Sequence, residues 1–136
     1  MTAYERHFIV IDDNKLDCFI AEKMILKSGL SKKINLFLDG REALEFIKND
    51  APPANGHKVI IIVDIQMPLI NGFEFVETFE TFSQDIQDNY AIFMLSSTNN
   101  ENDLNRVRNY RSVKQLFNKP LTKKCLFLLI EHLDRH

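Results

Sequence analysis

Val59 to Asp64 reads VIIIVD, and Ile65 to Gly72 follows as IQMPLING. Five consecutive aliphatic residues form the pattern of a strand buried on both faces, as in a parallel sheet covered by helices. Open sheets of that kind bind their ligands beyond the carboxyl ends of the strands. Asp64 stands at such an end, with Pro68 and Gly72 close behind it. One aspartate decides little alone, so the flanking sequence has to supply the context.

Outward from that run, strand-length apolar segments alternate with helical patterns. His7 to Ile11 (HFIVI) is a strand, and Asn14 to Ser28 carries Leu16, Phe19, Ile20, Met24 and Leu26 at mostly helical spacing before Gly29 stops it. Ile34 to Leu38 (INLFL) is a second strand, and Asp39 to Asn49 sets Ala43, Leu44 and Ile47 on one helical face. Asp50 to Gly56 (DAPPANG) is a loop by its prolines and glycine. His57 to Asp64 makes the third strand, and Phe73 to Phe82 a helix with Phe75, Val76 and Phe79 at helical spacing. Tyr90 to Leu95 (YAIFML) is the fourth strand, and Asn99 to Tyr110 a mostly polar helix with Leu104 and Val107 inward. Val113 to Phe117 is the fifth, and Thr122 caps a last helix with Leu126, Leu129, Ile130 and Leu133 at i, i+3, i+4 and i+7. Five strands alternating with five helices predict a doubly wound α/β domain, its sheet mainly parallel and covered on both faces. Residues 1–136 are expected to form that single domain, with no linker or low-complexity segment.

Composition excludes several classes. The chain is 45% hydrophobic and 26% charged, near the globular average, with a net charge of −2. The positive clusters Lys32-Lys33, Arg106 to Arg111 and Lys123-Lys124 are offset by acids, which argues against nucleic acid as a partner. Cys18 and Cys125 lie far apart in helical patterns, expected as buried free thiols of a reducing compartment. His7, His57, His132 and His136 show no metal-ligand spacing. No apolar run approaches the roughly 18 to 20 residues of a membrane span, and the N-terminus lacks an apolar signal region. A cytoplasmic location is the expectation.

The strand ends converge on one chemistry. Strand one ends in Asp12-Asp13, strand three in Asp64, strand four in Ser96-Ser97-Thr98 and strand five in Lys119-Pro120. Clustered carboxylates repel and raise one another's pKa unless a cation joins them. Their hard oxygens suit Mg²⁺, which prefers oxygen ligands and usually keeps several waters. One carboxylate can then attack phosphorus to form an aspartyl phosphate, while a lysine and a hydroxyl stabilise the phosphoryl oxygens. Taken singly, the same residues have blander readings: Asp12-Asp13 as helix starters, Ser96 as a turn residue, Lys119 as a solvated loop lysine. It is their company at one sheet edge that favours the chemical reading.

In these residues the chain resembles a receiver domain of the bacterial two-component response regulators, of the stand-alone, chemotaxis-regulator-like kind. The resemblance is carried by Asp12-Asp13, by Asp64 in VDIQMP with Gly72 after it, by Ser96 and by Lys119-Pro120, and it spans nearly the whole chain. It implies a flavodoxin-like sheet in the order 2-1-3-4-5. It further implies that Asp64 is the phosphoacceptor, taking a phosphoryl group from a sensor histidine kinase or a histidine phosphotransfer protein. Asp12, Asp13, Asp64 and the backbone carbonyl of Gln66 would hold Mg²⁺, with Asp12 acting mainly through a metal-bound water. Ser96 and Lys119 would contact the phosphoryl group, and the Lys119–Pro120 bond would be cis. Met67, Pro68 and Gly72 would shape the loop beneath the site and present Asp64 outward. Gln66 and Thr98 occupy positions that tune phosphoryl lifetime in the family.

One departure concerns the aromatic switch residue of many receivers, whose register falls on Leu116, with Phe117 beside it. With no output domain expected after the last helix, signalling would pass through protein contact. The face expected for it is built by the helix at Asn99 to Tyr110, the fifth strand and the last helix, in a monomer or a phosphorylation-dependent dimer. Two other readings compete. A Mg²⁺-dependent phosphatase of the haloacid-dehalogenase type usually places a second acid two residues after its nucleophile, where this chain has Gln66. A degenerate receiver serving as a binding scaffold would be expected to lack some of the acids or the lysine.

Overall fold

The five strands pair side by side into one parallel sheet. β1 (His7–Ile11) lies between β2 (Lys33–Phe37) and β3 (Val59–Asp64), while β4 (Tyr90–Ser96) and β5 (Val113–Asn118) continue the sheet beyond β3. The order is therefore β2-β1-β3-β4-β5, all parallel, as expected. This computed structural model describes residues 6–31, 33–49, 57–98 and 100–135; the expected DAPPANG loop, the first five residues, Lys32, Asn99 and His136 lie outside them.

Every residue of β1, β3 and β4 is buried, which is why these strands read as unbroken apolar runs. The outer strands β2 and β5 are only partly covered. Alternation along the pleat sorts the central side chains into two cores. Ile9, Ile11, Ile61, Val63, Ile92 and Met94 point to one face, and Phe8, Val10, Ile60, Ile62, Phe93 and Leu95 to the other. α1 (Lys15–Ser28) and the C-terminal α6 (Lys123–Arg135) close the second core with Cys18, Ala21, Ile25, Leu126, Leu129 and Ile130. α2 (Gly40–Asn49), α3 (Gly72–Phe79) and α5 (Glu101–Val107) close the first with Ala43, Leu44, Ile47, Phe75, Val76, Phe79 and Val107.

Three expectations need correction. There are six helices among the described residues, because α3 stops at Phe79 and a short α4 (Gln84–Gln87) follows. Ser83 caps α4, and the Gln87 amide donates to the carbonyls of Glu80 (3.1 Å) and Phe82 (2.8 Å), which holds the intervening turn in place of a continued helix. In α1, the residues that mark the apolar stripe in sequence are largely outside: Leu16, Phe19, Ile20 and Leu26 are exposed. The helix instead lies on the sheet through Cys18, Ala21 and Ile25, two of them small enough to permit close approach. Leu104, expected inward, is also exposed, since α5 spans barely two turns and buries only Val107.

Candidate functional site

The carboxyl edge of the sheet gathers the charged groups. Asp12 follows β1 directly and Asp64 is the last residue of β3, so two fully buried strands deliver their carboxylates side by side. Asp12 is 3% exposed and Asp64 4%, whereas Asp13 is exposed. Each buried carboxylate accepts a backbone N–H two residues on: Asn14 to Asp12 Oδ1 at 3.0 Å, and Gln66 to Asp64 Oδ1 at 3.3 Å. Oxygens of Asp12, Asp13 and Asp64 all lie within 4.8 Å of one another.

Lys119 enters from β5. Its backbone N–H donates to the Ser96 carbonyl at 2.8 Å, extending the β4–β5 ladder past the strand end, and its peptide bond to Pro120 is cis. The ammonium then reaches across β3 to Asp12 Oδ2 at 2.7 Å and to Asp17 Oδ2 at 2.9 Å, and stands 3.4 Å from Asp64 Oδ2. Asp17 was not singled out in sequence. Its only signal is position: four residues after Asp13, one helical turn beyond the acidic strand tip.

The electrostatics follow from this crowding. Burial, joined by the charge of Asp12, pushes the Asp64 carboxyl up to about 6, with Lys119 pulling the other way. Burial lowers the Lys119 ammonium, but its hydrogen bonds to Asp12 and Asp17 outweigh that and hold its pKa above the usual lysine value. Cys18, whose thiol donates to the Asp12 carbonyl at 3.2 Å, is pushed up to about 11 by burial and by the Asp12 charge. A thiol held so far toward its neutral form packs and donates a weak bond; it is not a nucleophile here. Asp12, Asp17 and Asp64 surround the Lys119 ammonium, and Asp13 adds its oxygens to those of Asp12 and Asp64, so that among the described residues carboxylates outnumber the cation on hard oxygens. That donor set fits a hard divalent cation.

The IQMPLING loop forms the floor. The Gly72 N–H donates to the Ile65 carbonyl at 2.8 Å, folding the loop back under Asp64. A Cβ on Gly72 would lie 2.7 Å from the Asp64 carbonyl oxygen and 2.8 Å from Ile65 Cα, so only glycine fits. Met67 packs partly on the core, Pro68 is exposed, and Leu69 at the tip takes a φ of 68°. Asn71 and Glu74 cap α3 reciprocally and end the loop.

The hydroxyls are placed differently from the acids. Ser96 is fully buried, and its Oγ is engaged with its own loop, donating to the Thr98 carbonyl (2.9 Å) and accepting the Thr98 N–H (3.1 Å). Ser97 donates to the Gln66 side-chain oxygen and ties this loop to the floor. Leu116 packs, partly buried, on the α2/α3/α5 core. Phe117 turns the other way, into the α1/α6 core, where it stacks on Phe93 at 6.2 Å. Adjacent residues in a strand face opposite sides, so Phe117 does not stand in for an aromatic at position 116.

Residues 8–131 match the response regulator receiver domain. The chain belongs to that family. A response regulator receiver protein from Dyadobacter fermentans is 31% identical, with a TM-score of 0.85 over 95% of this chain and 98% of its own. A two-component response regulator from Cytophaga hutchinsonii is 25% identical, also at 0.85, over 96% and 98%. Stress response regulator protein 1 of Lodderomyces elongisporus is 23% identical over 124 residues, which are 91% of this chain and 32% of that protein. The chain thus spans about a third of the length of this curated relative. Receivers are signalling domains, which bind Mg²⁺ at an acidic pocket of the kind found here. Among the described residues no helix is long and apolar enough to cross a membrane.

Proposed function

We propose that this receiver domain accepts a phosphoryl group on Asp64 from the phosphohistidine of a sensor kinase or histidine phosphotransfer protein and signals by altered protein contacts. The observation that carries this reading is the juxtaposition of a buried strand-tip carboxylate with two further acids and a lysine at one sheet edge. Asp12, Asp13, Asp64 and the Gln66 carbonyl would hold Mg²⁺. When bound, the cation neutralises the acids and the incoming phosphoryl oxygens. Asp64 Oδ attacks phosphorus as the bond to the histidine nitrogen breaks, leaving an aspartyl phosphate and a neutral imidazole after proton uptake. Lys119 supplies an N–H to a phosphoryl oxygen. Ser96 supplies its hydroxyl once it leaves Thr98, and that exchange of hydrogen-bond partners biases the loop between two arrangements.

The signal would leave through the face of α5, β5 and α6, in a monomer or a phosphorylation-dependent dimer, in the cytoplasm. Its position beside the Ser96 loop supports that choice, since Lys119 N–H ties the end of β5 to Ser96. Small donors such as acetyl phosphate would also serve Asp64 directly. Incubation with acetyl phosphate and Mg²⁺, followed by intact and peptide mass spectrometry, should give one phosphoryl adduct on Asp64. An adduct elsewhere, or one formed equally without Mg²⁺, would refute the assignment. Lys119→Ala should depress labelling more than it weakens Mg²⁺ binding; equal losses would contradict a phosphoryl contact.

A further inference from the structure

Lys119 is shared unequally among three carboxylates. Hydrogen bonds go to Asp12 (2.7 Å) and Asp17 (2.9 Å), while Asp64 stands off at 3.4 Å. Asp12 is a candidate metal ligand, with Asn14 N–H on its other oxygen. Among the described residues the Asp17 carboxylate bonds to Lys119 alone: it rises from the first turn of α1, its backbone N–H capped by Asn14, and reaches back to the lysine. Its side chain is 38% exposed against 5% for Asp12 and Asp64, so it holds the ammonium from the solvent side. Asp12, Asp17, Ile20, Lys119 and Pro120 share one crevice between α1 and the segment after β5.

We propose that Asp17 is a positioning residue that tethers Lys119 to α1 and competes with the phosphoryl group for it. The inference rests on the phosphoacceptor reading of Asp64. A phosphoryl group at Asp64 needs a short, charge-assisted N–H contact from the lysine. To give it, the ammonium must turn toward a phosphoryl oxygen, and its bond to the Asp17 carboxylate holds it back toward α1. Neutralising Asp17 frees the ammonium without removing any group that touches the phosphoryl. Because Asp17 is half-exposed, the competition is of the size of a surface ion pair, a factor of about two to five in affinity. Asp17 thereby couples the position of α1 to the stability of the phosphorylated form.

The test is beryllofluoride, a phosphoryl mimic, titrated in saturating Mg²⁺ and followed by ¹⁹F NMR in wild type, Asp17→Asn, Asp17→Ala, Lys119→Ala and the Asp17→Asn/Lys119→Ala double variant. Both Asp17 variants should bind the mimic about two- to fivefold more tightly than wild type. On the Lys119→Ala background the Asp17 substitution should change nothing, since there is no lysine left to release. Unchanged or weaker binding by the single variants overturns the competition, and so does an equal gain without the lysine, which would reveal a plain charge effect. Wild type that fails to bind beryllofluoride while binding Mg²⁺ would instead overturn the phosphoacceptor reading beneath it. Thermal melts of each variant separate misfolding from these outcomes.

Discussion

The two halves of the site are built by different means. Asp12 and Asp64 sit at the ends of β1 and β3, strands that are wholly buried and hydrogen-bonded on both sides, so their backbone has one arrangement. Ser96 and Lys119 come from β4 and β5, and their functional atoms are held by bonds that can be exchanged: Ser96 by Thr98, Lys119 by Asp12 and Asp17. The acids stand on fixed backbone above the loop floor, and the hydroxyl and ammonium form a movable half whose bonds can switch. The proposed function, which asks the site to bind a cation and also to change its contacts, would need both, because packed cores do not deform continuously but side-chain bonds can switch.

Four substitutions or conditions would break or sharpen that contrast. The largest effect is expected from Asp64→Asn, which should abolish acetyl phosphate labelling. It should also stabilise the fold by about 1–3 kcal/mol in urea at pH 7 without metal, since a buried, repelled charge is removed. A destabilised variant would show that Asp64 is satisfied as an anion. The same charge predicts a pH dependence of up to about 3 kcal/mol in metal-free buffer. Asp64 holds its proton to about pH 6 in the folded chain, against an ordinary value of 3.8. Over that interval the native state binds more protons than the unfolded one, so stability falls as pH rises from about 4 to 6 and levels off above it. The difference between wild type and Asp64→Asn should follow that curve; a difference independent of pH would contradict it.

Next comes the floor. Gly72→Ala forces a Cβ against the Asp64 carbonyl and Ile65 Cα, backbone atoms that cannot step aside. A loss of about 1–3 kcal/mol is expected in denaturant melts, with slower labelling as Asp64 is displaced. Normal stability would mean that the loop has room to move, and the floor would not be fixed. The smallest effect belongs to the movable half: Ser96→Ala removes the bonds of its hydroxyl to exposed Thr98 and should cost about 1 kcal/mol, while reducing the labelled fraction at steady state. Reduced labelling with near-native stability would mark a group that acts in the phosphorylated state; a large stability loss with normal labelling would make it a structural turn residue.

Much of this was legible in the residues themselves. VIIIVD reads as a central strand because a strand covered on both faces has no polar positions to spare, and β1 and β4 read the same way. α2 was equally clear, since Ala43, Leu44 and Ile47 are buried on one face. α1 was not, because Leu16, Phe19, Ile20 and Leu26 lie outside while small Cys18 and Ala21 make the contact. Hydrophobic spacing identifies a helix; with apolar residues all round, it does not say which stripe faces the sheet. The break between α3 and α4 was hidden for a similar reason. It depends on Gln87 reaching back to carbonyls five and seven residues earlier.

At the site, sequence alone determined which residue types stand at the strand ends, because strand ends follow from the apolar runs and polar residues bound them. Asp12, Asp13, Asp64, Ser96 and Lys119 are all legible at those ends from the sequence. Only the tertiary structure decided which of these groups touch. It brought Lys119 to Asp12 across more than a hundred positions of chain, added Asp17 to that contact, and turned Phe117 away from Leu116 into the opposite core. The physical reason is range: propensity and periodicity act over a few residues. The partners of a charge depend on which distant strand ends the sheet order sets side by side.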